Sequence, residues 1–301
     1  MPWRSASELS WLRSLPGLEE GYALDRHTSF HLGGAAEYFV QTATPRPIVE
    51  GCLERGIPYL LLGAGTNLLI ADRGVEGLVI RVVSRAYHVD GDRVTAAAGL
   101  KMLRLARICA DHDLRGFEWA IGVPGTVGGA VYQNAGCWGG ELKDCLVEVD
   151  GYRPGLGVET WSPDDLALGY RTSALRHGAL HGALVESATL QLAHGDGAAA
   201  RRQMAIWTAE RDATQPKQFK NCGSVFRNPP GDSAGRLVDA AGLKGAGEGG
   251  AQVSTQHANF IVNNGSATAA DVARLIERIQ RSVAERFGVR LEPEVERVGK
   301  W

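Results

Sequence analysis

A glycine-rich segment between residues 122 and 136 constrains the fold of this chain more than any other feature. It holds five glycines and one proline within fifteen residues. Glycine weakens the interior of helices and strands, so this density predicts a backbone that lies close to a flat or anionic group. We favour a phosphate-binding loop over the alternative, a glycine-rich turn region without a ligand.

A second cluster of small residues lies at positions 63–65, and a third lies at 242–250. In the run PYLLLGAGTNLLI, residues 58–70, an apolar strand leads directly into a turn. Successive N–H groups in such a turn can hold a phosphate without any net charge. The turn has neither the third glycine of a dinucleotide-binding fingerprint nor the Gly-Lys-Ser/Thr of a P-loop. Taken alone, it is equally compatible with a turn that binds nothing.

Apolar periodicity predicts helices at about 45–56, 101–114 and 271–288, with a fourth at about 197–212. Asp271 is the predicted N-cap of the 271–288 helix, and Gly288 is its predicted end. Short β-like runs are predicted in between, at Tyr59–Leu62, Leu78–Val82, Arg93–Ala98, Leu184–Leu192 and Phe260–Val262. Strands interleaved with helices predict an α/β or α+β fold.

The composition excludes several classes of protein. A chain of 301 residues predicts two or three packed units, and 44% hydrophobic with 22% charged residues is typical of a globular protein. A net charge of -2 provides no basic surface for nucleic acid. The five cysteines form no C-x-x-C pair, and no apolar run is long enough to span a membrane. We therefore expect reduced thiols and a soluble, cytoplasmic protein.

Several motifs, in order along nearly the whole chain, are specific enough to indicate a family. They are HTSFHLGGAAEYFV (27–40), GAGTNLLI (63–70), GFEWAIGVPGTVGGAVYQNAG (116–136), LGYRTS (168–173), RDATQP (211–216), CGSVFRNP (222–229), AGLKG (241–245) and LEPEV (291–295). In these motifs and their order the chain resembles the shorter class of UDP-N-acetylenolpyruvoylglucosamine reductases.

The resemblance implies an α+β protein with a vanillyl-alcohol-oxidase/PCMH-type FAD-binding fold in two units and a separate α+β substrate-binding domain. The expected division is FAD subdomain 1 at 1–75, FAD subdomain 2 at 76–200 together with 286–301, and the substrate domain at 201–285. The implied cofactor is non-covalent FAD, with NADPH as co-substrate. The implied cofactor-binding residues are Gly63, Ala64, Gly65, Thr66, Asn67, Gly122, Pro124, Gly125, Thr126, Gly128, Gly129 and Ala130.

The resemblance also assigns the catalytic roles to Arg171, Ser224 and Glu294. Hydride addition to an enolpyruvyl ether leaves negative charge on the carboxylate-bearing carbon, so the site needs a cation, a hydrogen-bond donor and a proton donor. Arg171 would hold the carboxylate, Glu294 would share a hydrogen bond with the enolic oxygen, and Ser224 would donate the proton. Glu292 and Glu296 alternate with Glu294 on a predicted strand.

A UDP-sugar substrate is implied as the partner, with no nucleic acid, membrane or obligate protein partner. The implied substrate-binding residues are Tyr170, Arg211, Gln215, Asn228, Lys244 and Gln256. We expect no metal site, because His257 has no second His or Cys at ligand spacing. We expect it to be a packed or hydrogen-bonding histidine.

Two rival functions remain at this stage. An FAD-dependent oxidase of the same fold family would act on a sugar or hydroxy acid, and it would not need the CGSVFRNP and YRTS segments. A flavin-binding regulatory protein without turnover would be expected to lack Arg171, Ser224 or Glu294, and all three are present.

Overall fold

The computed structural model describes residues 4–301, which form two compact units. Unit 1 comprises residues 4–18, Phe39–Ala64 and Leu78–Arg211, and unit 2 comprises Glu19–Tyr38, Gly65–Gly77 and Asp212–Trp301. Each unit has an apolar core of its own. Helices and strands occur in both units, as the predicted α+β class requires.

The α-helices found in residues 4–301 are α1 (Ala6–Ser14), α2 (Arg46–Glu54), α3 (Met102–Asp111), α4 (Val127–Gln133), α5 (Ala174–His177), α6 (Gly197–Thr214), α7 (Ala234–Ala240) and α8 (Ala269–Phe287). The strands are β1 (Glu19–Ala23), β2 (Ala35–Thr42), β3 (Tyr59–Leu62), β4 (Leu68–Ile70), β5 (Val75–Val82), β6 (Tyr87–Asp90), β7 (Arg93–Ala97), β8 (Leu114–Arg115), β9 (Gly136–Cys137), β10 (Gly140–Glu141), β11 (Leu146–Arg153), β12 (Gly157–Trp161), β13 (Leu184–Gln191), β14 (Ala193–His194), β15 (Gly247–Glu248), β16 (Ala251–Val253), β17 (Ile261–Asn263) and β18 (Glu296–Val298). No helix of this part of the chain combines the length and apolar character that crossing a membrane requires.

Unit 1 is built on a five-stranded antiparallel sheet in the order β12-β11-β13-β7-β6. Helix α4 packs against β13 and β7. In the same unit β3 runs parallel to β5, with Tyr59 opposite Leu78 and Leu62 opposite Arg81. The loop that follows β3 therefore starts from a fixed, hydrogen-bonded strand end.

Unit 2 contains the antiparallel sheet β15-β16-β17, on which α8 packs, and a parallel pair formed by β18 and β4. In that pair Glu296 lies opposite Leu68 and Val298 opposite Ile70. Residues 286–301 consequently belong to the same unit as the expected substrate domain. These boundaries differ from the three-part division expected from the sequence. That division assigns FAD and substrate binding to parts of the chain, and it stays a prediction.

Helix α8 shows how local sequence sets an element. Thr268 is its N-cap, because its Oγ1 accepts from the Asp271 N–H at 3.1 Å while the Asp271 carboxylate accepts from the Thr268 N–H at 2.9 Å. The prediction of Asp271 as N-cap was therefore wrong, since Ala269 and Ala270 extend the helix toward its N-terminus. Gly288 ends it in a left-handed conformation, as predicted.

The other predicted elements are confirmed to within a few residues at each end, including the strand at Tyr59–Leu62, which matches β3. The five cysteines are free thiols. Burial raises the pKa of the Cys52, Cys109 and Cys145 thiols to about 12. These thiols are therefore protonated and inert at neutral pH.

The buried face of α8 predicts a large stability effect in unit 2. Ile279 is 1% exposed, and we expect Ile279→Ala to lower the free energy of unfolding by about 2–5 kcal/mol because a cavity remains. Glu285→Ala on the exposed face of the same helix should change it by less than about 0.5 kcal/mol. Denaturant unfolding followed by circular dichroism measures both values. Equal values for the two variants would contradict the proposed packing.

Candidate active site

The first glycine loop in chain order, residues 63–67, begins at the end of β3. An added Cβ on Gly63 would lie 2.6 Å from the Thr126 Oγ1, so in unit 1 the first loop starts in close contact with the second loop. Gly65, in unit 2, has a φ of +62°, and a Cβ there would collide with the His27 carbonyl oxygen. Both positions therefore require glycine for reasons within the protein.

The second glycine loop, residues 122–130, is held along residues 98–102 by main-chain hydrogen bonds. The Val127 N–H donates to the Leu100 oxygen and the Gly128 N–H to the Ala98 oxygen, both at 2.9 Å. An added Cβ on Gly128 would lie 3.0 Å from the Ala98 Cβ, whereas one on Gly129 would meet nothing nearer than the Thr126 Oγ1 at 3.7 Å. The loop thus packs closely on one side and leaves the side at Gly129 open.

Helix α4 begins within this loop and was not predicted from the sequence. Thr126 caps the helix, with its Oγ1 accepting from the Gly129 N–H at 3.5 Å. The high glycine content had predicted irregular backbone only. A short helix forms here because the small residues allow it to lie against the sheet at the distance that Gly128 permits.

Arg171 lies at the tip of a tight turn in unit 1. Gly169 and Thr172 exchange two main-chain hydrogen bonds, at 3.1 and 3.2 Å. Arg171 itself has a φ of +55°. Its Nη2 donates to the Gly136 carbonyl oxygen at 2.7 Å, and its guanidinium lies 5.1 Å from the centre of the exposed Tyr170 ring.

Ser224 and Glu294 lie on adjacent segments of unit 2. The Glu294 N–H donates to the oxygen of Val225, the residue after Ser224, at 2.8 Å, and Phe226 forms a bridge with Pro293. Among the causes that raise the pKa of the buried Cys222 thiol, the Glu294 carboxylate comes second after burial. The Glu294 carboxylate is therefore near enough to the Cys222 thiol to interact with it electrostatically.

The two neighbouring glutamates are placed differently. The Glu292 side chain is 71% exposed and lies 3.7 Å from an Arg227 nitrogen. The Glu296 N–H donates to the Asn67 oxygen at 3.0 Å, at the start of β18. The strand predicted to carry Glu292, Glu294 and Glu296 is shorter than expected, because β18 begins only at Glu296 and leaves the other two glutamates outside it.

Asn67 connects the first glycine loop with the segment of Glu294. Its Nδ2 donates to the Glu294 carbonyl oxygen at 3.0 Å. A second asparagine, Asn259, holds the segment that follows Ser224. Its side chain accepts from the Phe226 N–H at 3.0 Å and donates to the Phe226 oxygen at 2.9 Å. Asn259 is 4% exposed. Asn259 was not predicted as a site residue, because the residues around it in sequence do not distinguish a buried asparagine from one in a turn.

The expected substrate-binding residues are divided between the units. Tyr170 and Arg211 lie in unit 1, and Gln215, Asn228, Lys244 and Gln256 lie in unit 2. In unit 1, burial lowers the pKa of the Arg211 guanidinium, and burial raises that of the Cys137 thiol beside it.

Several of the expected substrate-binding side chains in unit 2 have partners within the protein. The Asn228 Oδ1 accepts from the Ala234 N–H at 3.0 Å, and the Gln256 Nε2 donates to the Ala213 oxygen at 2.9 Å. Lys244 forms an ion pair with Asp239 at 2.8 Å. Asn228, Lys244 and Gln256 are nevertheless exposed to solvent, so their side chains are accessible.

His257 has the structural role that the sequence predicts. Its Nδ1 accepts from the Asn259 N–H at 3.2 Å, and its ring lies 4.7 Å from that of Phe260. Burial, and then the charge of Lys244, lower its pKa. In residues 4–301 no group of three or more His, Cys, Asp or Glu side chains is arranged to hold a metal ion.

Two family models match the chain. Residues 41–154 match the FAD binding domain, and residues 215–298 match the C-terminal domain of UDP-N-acetylenolpyruvoylglucosamine reductase. The first range contains both glycine loops, and the second contains Ser224 and Glu294. The fold class and the FAD cofactor expected from the sequence are thereby confirmed.

Individual relatives agree with these matches. The UDP-N-acetylenolpyruvoylglucosamine reductase of Synechococcus sp. (strain WH7803) is 43% identical over 97% of this chain and 96% of its own length. That of Limosilactobacillus fermentum is 39% identical over 94% and 95%. The crystal structure of the UDP-N-acetylenolpyruvylglucosamine reductase from Thermus caldophilus matches with a TM-score of 0.79 at 37% identity, over 91% of this chain and 97% of that one. The chain therefore belongs to the UDP-N-acetylenolpyruvoylglucosamine reductase family.

Proposed function

We propose that this chain reduces UDP-N-acetylglucosamine enolpyruvate to UDP-N-acetylmuramate, with FAD as cofactor and NADPH as hydride source. The reaction is a step of peptidoglycan precursor synthesis. The observation that carries the proposal is the main-chain pairing of Val225 with Glu294, because it fixes a proton donor and a carboxyl group on adjacent segments. An oxidase would need no such donor. We also place the reaction in the cytoplasm, since all five cysteines are free thiols.

The glycine loops of unit 1 fit a flavin dinucleotide. Gly129 is exposed on α4, and an added Cβ there would meet nothing nearer than the Thr126 Oγ1 at 3.7 Å. A glycine inside a helix costs about 1 kcal/mol relative to alanine, so a ligand that approaches the backbone closely accounts for it better than packing does. FAD would be held there by Gly63, Ala64, Gly122, Pro124, Gly125, Thr126, Gly128, Gly129 and Ala130. Gly65, Thr66 and Asn67, in unit 2, stay predicted cofactor-binding residues.

Each catalytic side chain has a distinct task in the proposed reaction. FAD, when bound, would supply the hydride, with NADPH as its source. Arg171 holds the substrate carboxylate with a planar, two-point contact while negative charge grows beside it. Glu294 donates a hydrogen bond at the enolic oxygen, which requires its carboxyl group to be protonated. The Ser224 hydroxyl donates the proton to the carboxylate-bearing carbon, a base strong enough to accept it from a weak acid.

The UDP group of the substrate has its own expected partners. Lys244 and Arg211 neutralise the diphosphate, while Gln215, Asn228 and Gln256 offer amide groups to the uracil and the sugar. Tyr170 contributes its exposed ring. Because the Arg211 guanidinium is partly buried, it has already lost much of its hydration, and a phosphate would replace the water that remains.

The proposal is tested by following the flavin absorbance of the holoenzyme without oxygen. NADPH should bleach the flavin, and the enolpyruvyl substrate should restore it. Ser224→Ala should leave the bleaching nearly unchanged and slow the restoration by on the order of 10²–10⁴-fold, because only the proton donor is lost. Reoxidation by oxygen but not by the enolpyruvyl substrate in the wild-type enzyme would instead support an oxidase.

Arg171 and Glu294 should act as a unit in the same assay. Arg171→Lys keeps the charge but loses the two-point contact, so reoxidation should be strongly slowed. Glu294→Gln keeps a donor and should be milder than Glu294→Ala. In the double variant Arg171→Lys/Glu294→Ala the loss in free energy should be well below the sum of the single losses. The matched control is Glu292→Ala, which should reoxidise normally. Normal reoxidation in Glu294→Ala would assign the role to another glutamate.

The open side at Gly129 gives a test of FAD binding that does not depend on turnover. Gly129→Leu should raise or preserve the melting temperature of the flavin-free protein, because leucine favours the helix more than glycine by up to about 1 kcal/mol. The same change should weaken FAD binding, measured by fluorescence titration, by at least about tenfold, which corresponds to about 1.4 kcal/mol. Ala284→Leu, on the exposed face of α8, is the control and should bind FAD as the wild type does. Unchanged FAD affinity in Gly129→Leu would exclude this surface from the cofactor site.

A further inference from the structure

The backbone of Arg171 adopts a conformation that an arginine rarely holds unaided. Its φ of +55° lies in the left-handed region, which is unfavourable for a residue with a Cβ. Such conformations persist only where the surroundings hold them. The two main-chain hydrogen bonds between Gly169 and Thr172 close the turn on itself, and contacts with other segments fix its position.

The Asn134 side chain reaches this turn from the C-terminal end of helix α4. It follows the last residue of α4 and has no exposed surface. Its Nδ2 donates to the Gly169 carbonyl oxygen at 2.9 Å and to the Glu141 carboxylate at 3.0 Å. Its Oδ1 accepts from the Lys143 N–H at 3.0 Å. With both ends of the amide engaged by groups of fixed polarity, the side chain has one orientation.

Three further hydrogen bonds join the same two segments or brace the turn. The Ser173 Oγ donates to the Tyr132 oxygen at 2.5 Å, and the Arg171 Nη2 donates to the Gly136 oxygen at 2.7 Å. Arg176, which is 5% exposed, donates from Nη1 to the Arg171 carbonyl oxygen at 3.0 Å. Hydrogen bonds to residues 132–136 therefore hold both the turn that carries Arg171 and the guanidinium itself.

We propose that Asn134 is a positioning residue for Arg171. Through the Gly169 carbonyl it fixes the turn that aims the guanidinium, and it does so from the end of the helix that starts at the glycine loop. This inference rests on the proposed function, because the task of Arg171 at the substrate carboxylate defines what is being positioned. A purely structural cap of α4 would share the left-handed backbone of Asn134, but it would not require the contact with Gly169.

Asn134→Gly separates the two roles. Glycine adopts the left-handed conformation without strain, so the cap of α4 is kept while the amide is lost. Asn134→Asp is the second variant: it keeps the acceptor for the Lys143 N–H but presents an oxygen instead of a donor to the Gly169 oxygen. Thr189→Val is the matched control, because it removes another side-chain hydrogen bond of unit 1, the partly buried one between Thr95 and Thr189 at 3.0 Å.

The expected result is a loss confined to one half-reaction. Reduction of the bound flavin by NADPH should stay within about twofold of wild type in all variants, whereas reoxidation by the enolpyruvyl substrate should slow by about 10–100-fold in both Asn134 variants, as expected for a misplaced catalytic group. Calorimetric titration of the oxidised enzyme with the substrate should show weaker binding in these variants alone. Thr189→Val should lower the melting temperature without changing either half-reaction.

A double-variant test decides between positioning and general damage. In an Arg171→Ala background, Asn134→Gly should slow reoxidation by less than about twofold further, because the group to be positioned is absent. Full additivity of the two losses, or wild-type reoxidation in either Asn134 variant, would overturn the proposal. Failure of the proposed function would appear differently, as wild-type enzyme that the enolpyruvyl substrate does not reoxidise.

Discussion

The close approach of backbone to backbone at the second glycine loop is the constraint on which the arrangement of unit 1 depends. Gly128 lies against Ala98, and the N–H groups of Val127 and Gly128 pair with the residues that follow β7. Gly63 contacts Thr126 across the start of the same helix. A Cβ at Gly128 would crowd Ala98 and one at Gly63 would crowd Thr126, so either change would force α4 or its neighbours to shift. The glycines therefore serve packing at one face of the loop and leave Gly129 open at the other.

Elements set by local sequence could be predicted, and elements set by distant partners could not. The apolar stripe of α8 and the β3 strand are visible in a window of a few residues, because burial of one face repeats with the period of the element. Helix α4 was missed since its glycines have low helix propensity, and the reason that it forms, contact with Ala98, lies about thirty residues away in sequence. The predicted N-cap of α8, Asp271, lies three residues after the observed one, Thr268, because both residues have side chains that can cap a helix.

The same distinction applies to the candidate site. The motifs around Arg171, Ser224 and Glu294 are recognisable in sequence, and the structure shows how unit 2 holds Ser224 and Glu294 on adjacent segments. The asparagines that hold these motifs are not recognisable, because their partners are main-chain groups far away in sequence. Asn67 reaches the Glu294 oxygen and Asn134 reaches the Gly169 oxygen. An asparagine in a loop predicts a turn, and only the fold shows which carbonyl it binds.

The order in which the two units occur along the chain affects how the protein is made. Unit 2 uses two early segments, Glu19–Tyr38 and Gly65–Gly77, but most of its core comes from Asp212–Trp301. During synthesis at about 5–20 residues per second, those early segments leave the ribosome many seconds before their partners. Unit 1 has received all of its segments once Arg211 has emerged. The nascent chain can therefore assemble unit 1 first, while β4 remains without the strand that will pair with it.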